Sequence, residues 1–597
     1  MSNNNVRKVS FWRVFFPALI ALLVGSVISI FFFFSTLGVF INKYVGASTD
    51  SSSNVKDKTF LYMKFDQPIG DVGYNRINTS SFSLDQQQGL GEIIYGLEKA
   101  KNDKKIKGVF IETGQISSGY GNLLELREAI KDFEKSGKKV VFYAKGEVVT
   151  TKTLYLATAT KDSYIFPESN VEFLGLSSEM MFFKNMLDKF DIEVEVIRGE
   201  GNDFKSAVEP YFRTEMSDSS RLQVERFMNG LWDKMLTDIS KDKNISVAQL
   251  NTYASEAKIL NGKDAVKYGL FKATKYRDEV LDLLKDYAGI DKDKEAIFYS
   301  FEKYARTEYT KEVKLKKDKE AIALIFAEGD ITTDGSGIAS TNLCRYIREA
   351  RTNDKIKTIV LRVNSPGGSA LASEEIWREV KLAADKKKVY VSMGDLAASG
   401  GYYISSAGTR IFADPTTITG SIGVFGVIPN FGTSLNKNLG ITFDGVKTNK
   451  FGNISLMRKL TPEELAIVQT GVNSIYDQFI QRVADGRKLS QDKVRAIAKG
   501  RVWLGVDAIN NGLVDEFGGL VATLNYAKSK VGDLPVVVWP KVKDNDLRDI
   551  LDMLKDDEDH TRATTKVSDE VLNYYNEIKN LENKFGIQMR MPFEIKL

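Results

Sequence analysis

The chain has 597 residues, 43% hydrophobic and 27% charged, the make-up of a folded protein of several domains. A formal charge of only +4, with no basic stripe interleaved with aromatics, excludes nucleic acid as a partner. One cysteine, Cys344, and one histidine, His560, exclude an intramolecular disulfide and a zinc site of the usual ligands; no loop has the spacing of an oxygen-ligand cation site, so no metal or cofactor is expected.

Residues 1–13 carry Arg7, Lys8 and Arg13 and lead into 14–41, which contains no charge over 28 residues. About 20 apolar residues span a bilayer, and a secretory signal has a core of about 7–15. The run therefore predicts a retained transmembrane helix, although the small residues of 44-YVGAS-48 offer cleavage as the alternative. The positive charges place the N-terminus in the cytoplasm and the remainder of the chain across the membrane. Residues 42–57, including the polar stretch 46-GASTDSSSNVKDK-58, read as a flexible linker.

Beyond the linker the chain repeats itself. The stretch 102-NDKKIKGVFIET-113 matches 353-NDKIKTIVLRV-363, with Ile106 and Ile356 separated by 250. Pro167 matches Pro415 at 248, and the helix starts at Ser217 and Thr461 match at 244. The segment 264-DAVKYGL-270 matches 507-DAINNGL-513 at 243. Four landmarks in one order mark a tandem duplication. We assign the first copy to 58–285, a connector to 286–317, the second copy to 318–535 and a charged tail to 536–597. Thr461 predicts a capped start, with Pro462 next and Glu464 closing a capping box. Short β-branched runs alternate with amphipathic helices, as in 357-KTIVLRV-363, 370-ALASEEIWREVKLAA-384 and 388-KVYVSM-393. That order predicts βαβ units and a mostly parallel sheet. Cys344, in the helix-like 341-TNLCRYIREA-350, reads as a small buried apolar residue.

The stretch 394-GDLAASGGYYIS-405 sets Ser399 among small residues where a strand runs into a helix. That is a place for a nucleophile, and also for an ordinary helix cap. An offset of 248 pairs it with Thr151 in 148-VVTTKTLYL-156, which lacks the Ala-Ala-Ser-Gly-Gly context. In 364-NSPGGSAL-371, Gly367 and Gly368 follow the preceding strand and can present N–H groups to an oxyanion. Carboxyl ends of neighbouring parallel strands share one crevice. The base cannot be His560, which sits in the acidic 555-KDDEDH-560. A lysine serves if burial keeps it neutral. Lys205, in the apolar context of 203-DFKSAVEPYF-212, meets that condition; Lys450, in 446-VKTNKFGN-453, remains open as the corresponding residue of the second copy.

Taken together, 203-DFKSAVEP-210, 364-NSPGGSAL-371, 397-ASGGYY-402 and 416-TTITGSIGV-424 resemble the long, tandem form of the signal peptide peptidase A family over about 58–535. The resemblance implies an α/β fold of tandem Clp protease/crotonase-like domains with helical extensions, behind one N-terminal transmembrane helix. It implies a serine endopeptidase with Ser399 as nucleophile, Lys205 as general base, Ser421 orienting the lysine amine, and Gly367 and Gly368 supplying the oxyanion hole. Its expected substrates are cleaved signal peptides and other membrane-associated peptides. Its expected setting is a homo-oligomer, a tetramer, held by a single pass in the bacterial inner membrane with the catalytic domains on the periplasmic side. Two alternatives are a crotonase-like acyl-CoA enzyme, which gives Ser399 and Lys205 no role, and a non-catalytic membrane scaffold.

Overall fold

A computed structural model describes residues 55–78, 83–313, 319–335, 337–539 and 586–590. The chain divides into two units, Met1–Lys56 and Asp57–Leu597, and the architecture below is that of the second. The predicted anchor, 14–41, and its flanks through residue 54 lie outside the described residues, as does His560. Among the described residues no helix is long and apolar enough to cross a membrane.

The duplication is visible strand by strand. The first sheet is wholly parallel, in the order Ala273–Thr274, Asp162–Ile165, Lys139–Ala144, Ile106–Thr113, Thr59–Met63, Phe298–Ser300. The second repeats that order with Glu516–Phe517, Arg410–Ala413, Lys388–Ala398, Ile356–Ser365, Ala321–Glu328 and Val536–Val538. Even an irregularity recurs: pairing slips between Thr59 and Phe60 against Ile106 and Gly108, and between Ala321 and Ile322 against Ile356 and Thr358. The central strand 321-AIALIFAE-328 is buried almost throughout, as expected for a parallel strand covered on both faces. Phe298–Ser300 falls within the segment read as a connector and Val536–Val538 within the tail, yet each completes its copy's sheet.

The helices recur as well. The longest among the described residues, Asp218–Lys243 and Pro462–Arg487, have 26 residues each and end at left-handed Asn244 and Lys488. Ser217 and Thr461 cap them as expected, Thr461 in a full capping box with Glu464. The predicted helix in 370–384 is Ala370–Lys386, and the strand expected at 388–393 runs on to Ala398, which carries it to the candidate nucleophile. Cys344 is half-buried in helix Ser340–Thr352.

Two features join the copies. A mixed sheet runs in the order Glu193–Arg198, Phe425–Asn430, Gly586–Arg590, Gly367–Ser369, Ile331–Thr332, Ile338–Ala339, drawing strands from both copies and the tail. The second is Arg362, which is fully buried. Its guanidinium reaches Asp71 Oδ1 at 3.0 Å, Asn122 Oδ1 at 2.9 Å and Glu125 Oε1 at 2.7 Å in the first copy, and donates to Ser392 Oγ at 3.0 Å in the second. Asp395, on the strand that leads to Ser399, accepts the Asn122 N–H at 2.8 Å. Truncating one partner of such a buried set costs about 3–5 kcal/mol, so the relative placement of the copies is firmly held.

Candidate active site

Ser399 ends the strand Lys388–Ala398 and precedes the helix Gly400–Ser405 with φ 57° and ψ −114°. A side chain rarely adopts that conformation, which costs about 1–3 kcal/mol. The Ser399 N–H donates to Gly420 O at 2.8 Å, which holds the turn. Its side chain makes no capping bond to the helix it precedes, so the capping role does not apply here. The small neighbours admit a close approach: a Cβ on Gly401 would lie 2.6 Å from Ser365 O, and one on Gly400 would lie 3.1 Å from the Gly367 Cα.

Lys205 comes from the first copy and crosses to this turn. Its side chain is fully buried, with Nζ 2.8 Å from Ser399 Oγ, 2.9 Å from Ser421 Oγ and 3.0 Å from Ser421 O. Burial alone pushes its pKa well below the ordinary lysine value. The backbone around it is held by the second copy, with Phe204 N–H donating to Lys499 O at 3.0 Å. Gly500, at φ 72°, faces it so closely that a Cβ there would lie 2.6 Å from the Lys205 Cβ. Gln223 ties the same region together: its amide donates to Phe204 O at 3.0 Å and Ser206 Oγ at 2.9 Å, and its Oε1 accepts from Val502 N–H.

Ser421 also has positive φ, 51°, and its N–H donates to Arg501 O at 2.7 Å. That turn aims both its hydroxyl and its carbonyl at the amine. Lys450, the alternative base, is elsewhere. It is 64% exposed with Nζ 2.5 Å from a Glu463 carboxylate oxygen.

Gly367 and Gly368 have φ 100° and 153°. A Cβ on Gly367 would lie 2.1 Å from Met589 O, 2.6 Å from Gly400 N and 3.0 Å from Ser399 Cβ. Only glycine fits there, and the Gly367 strand, the nucleophile turn and the tail strand meet at that point. The Gly367 N–H donates to Ser365 Oγ at 3.1 Å. Among the described residues no cluster of His, Cys, Asp or Glu could hold a metal.

The structure brings together Ser399, Lys205, Ser421 and the two glycines named from the sequence, but the Gly367 N–H expected for an oxyanion is engaged by Ser365 Oγ. Sequence reasoning missed Gln223 and Gly500, whose importance arises only when the copies meet. It also misaligned the counterpart of Ser399. The helices Thr151–Ala157 and Gly400–Ser405 begin 249 apart, so the residue before each is Thr150 in the first copy and Ser399 in the second. The offset of 248 came from prolines beyond these helices.

The model of peptidase family S49 matches residues 132–291 and 381–532, together more than half of the chain. The Clp protease model matches residues 323–418. "Protease 4" of Haemophilus influenzae is 34% identical over 452 residues, 74% of this chain and 72% of that protein. "Protease 4" of Salmonella typhi is 34% identical over 521 residues, 82% of this chain and 81% of its own. "Serine protease SPPA, chloroplastic" of Arabidopsis thaliana is 32% identical, covering 80% and 70%. Tandem matches, an α/β fold of Clp protease type and relatives aligned over most of their length agree: the chain is a serine protease and belongs to peptidase family S49.

Proposed function

We propose that the chain is a membrane-anchored endopeptidase in which Ser399 is the nucleophile and Lys205 its general base. The observation that carries this reading is the 2.8 Å approach of Lys205 Nζ to Ser399 Oγ in a setting without solvent. A neutral amine has two N–H donors and one lone pair. Two acceptors, Ser421 O and Ser421 Oγ, and one hydroxyl, that of Ser399, match that set. Lys205 takes the Ser399 proton as Oγ attacks a peptide carbonyl. The oxyanion is received by the N–H groups of Gly368 and Gly400, since Gly367 N–H is already engaged by Ser365. The ammonium of Lys205, held by Ser421, protonates the leaving amine. Water then enters, Lys205 again acts as base, and the ester is hydrolysed.

The substrate is an extended peptide. Strands Phe425–Asn430 and Gly367–Ser369 flank a slot one strand wide beside Ser399, where a peptide gains main-chain hydrogen bonds on both sides. The uncharged run at 14–41 behind three positive charges supports a single pass in a bacterial inner membrane, with the protease outside the cytoplasm. In that place, cleaved signal peptides and other membrane-associated peptides are the substrate class. Exposed Leu439, Ile441, Phe443, Val446, Phe451 and Ile454 form an apolar stretch that supports burial between copies of this chain, as in the expected tetramer.

The test is labelling by a serine-reactive fluorophosphonate, together with hydrolysis of an apolar peptide. Wild type should show both and Ser399→Ala neither, while keeping a wild-type melting curve. Hydrolysis by Ser399→Ala at the wild-type rate would reject the assignment.

A further inference from the structure

The residue before Lys205 meets the second copy through its side chain as well as its backbone. The guanidinium carbon of Arg501 lies 4.9 Å from the centre of the Phe204 ring and 4.2 Å from that of the Trp503 ring. All three side chains are half-buried, whereas Lys205 is fully enclosed. Among the described residues the guanidinium has no ion pair or hydrogen bond. Asp507, the carboxylate that could serve, is held by Arg226, Nη2 to Oδ1 at 2.7 Å. Both ends of this stack lead to the catalytic turns. Trp503 is fixed by its Nε1–H, which donates to Ile497 O at 2.9 Å, and it stands opposite Thr419 in the sheet. A Cβ on Gly420 would lie 2.8 Å from Trp503 Cδ1, and the Gly420 carbonyl is the one that holds the Ser399 N–H. The carbonyl of Arg501 itself holds the Ser421 N–H.

Resting on the Ser399–Lys205 reading above, we propose that Arg501 is a positioning residue whose guanidinium clasps Phe204 of the first copy to Trp503 of the second and so keeps water from the Lys205 amine. A planar guanidinium stacks on aromatic faces, and the contact strengthens where water is partly removed. The backbone of Phe204 is held by Lys499 and Gln223; its ring is held by Arg501. The charged groups on the segments packed here are Asp203 and Glu209 beside the lysine, Arg226 on the long helix, and Lys499, Arg501 and Asp507 in the second copy. None bonds to the amine, whose three hydrogen bonds go to Ser399 and Ser421. Burial is therefore what keeps Lys205 neutral. Water admitted at this wall lets the amine keep its proton at neutral pH, where it then cannot take that of Ser399. Opening the clasp moves the onset of base catalysis up toward the ordinary lysine value near 10.5, with the reacting groups still in place.

The pH profile of Ser399 acylation by a fluorophosphonate tests this in the full chain in detergent, for wild type, Arg501→Ala, Phe204→Leu and the double variant, each with its melting curve. Below the pKa the neutral fraction of an amine falls about tenfold per pH unit. Arg501→Ala should raise the midpoint by about one unit or more and slow acylation at neutral pH about tenfold or more, while its limiting rate at high pH stays within about threefold of wild type. Phe204→Leu should move the midpoint the same way. The double variant should move it no further than the larger single shift, because two sides of one contact are not additive. A folded Arg501→Ala protein with the wild-type midpoint, or one slowed equally at every pH, overturns the proposal. If that variant does not fold, Phe204→Leu is judged by the same two outcomes. Shifts that add in the double variant overturn it as well. All of these leave the dyad standing, whereas a wild type that takes no label, or whose labelling does not rise with pH, overturns the dyad and the clasp together.

Discussion

At residue 150 the first copy enters its helix with an ordinary backbone, φ −71° and ψ 160°, and Thr150 caps that helix by accepting the Thr153 N–H. At residue 399 the second copy makes the corresponding entry with φ 57° and ψ −114°, and Ser399 caps nothing. Two hydroxyls at the same place in one fold thus have different uses: one stabilises a helix, while the other stands in a strained turn aimed at an amine. The neighbouring loops differ in the same sense. Ser117 and Ser118 stand where Gly367 and Gly368 stand, and only the glycines take positive φ. The first copy retains the sheet and contributes a lysine; the second bends its backbone around the nucleophile. Duplication allows this division, because each copy fills its own core and each provides one half of the proposed dyad.

The largest effect is expected at the lysine. Lys205→Met should lower peptide hydrolysis by at least about 10²–10⁴-fold, the worth of a general base, yet stabilise the protein at neutral pH. The sign follows from proton counts. Between the lowered folded pKa and the ordinary value near 10.5, the unfolded chain holds a proton on Lys205 that the folded chain lacks. Wild-type stability therefore rises with pH through that window, and each unit of displacement costs about 1.4 kcal/mol at lower pH. The advantage of Lys205→Met in thermal melts should shrink as pH approaches 10.5. A destabilised Met variant at pH 7 would mean that the amine is not held neutral.

A smaller effect is expected at the contact between copies. Gly500→Ala places a Cβ 2.6 Å from the Lys205 Cβ at a backbone φ of 72°. The lysine must move, and a displacement of about 1 Å costs on the order of 10²-fold in rate. Kinetics on the folded variant should show the loss in kcat rather than KM. The smallest effect should come from the first copy's own turn. Thr150→Ala removes a helix cap, worth about 1 kcal/mol of stability, and should leave kcat/KM within twofold of wild type. A large rate loss there would mean that the first copy's turn also serves the chemistry.

Much of this was legible because duplication writes local signals twice. The caps at Ser217 and Thr461, the paired strands at 106 and 356 and the drifting offsets needed only short-range rules. Ser399 and Lys205 stood out by context, small residues around one and apolar residues around the other. Their distance did not, since choosing between Lys205 and Lys450 by chemistry requires knowing which is buried. The structure separates them: one is enclosed with three oxygens, the other exposed and paired with Glu463. Gln223, Gly500 and the Arg362 network were not legible, because each acts across the contact between copies. The tail strand was least legible of all. Its pairing with Gly367–Ser369 is set by a slot the rest of the fold creates, and 586-GIQMR-590 carries no signal for it.

The central claim is that a neutral lysine from one copy activates a serine in the other. The pH dependence of Ser399 acylation by a fluorophosphonate, in wild type, Lys205→Ala and Lys450→Ala, addresses it directly. Wild type and Lys450→Ala should show the same rise in rate with pH, with a midpoint well below the ordinary lysine value. Lys205→Ala should be slower by at least about 10²-fold and should lack that rise. A Lys205→Ala enzyme with the wild-type profile, or loss of the profile in Lys450→Ala instead, would contradict the account.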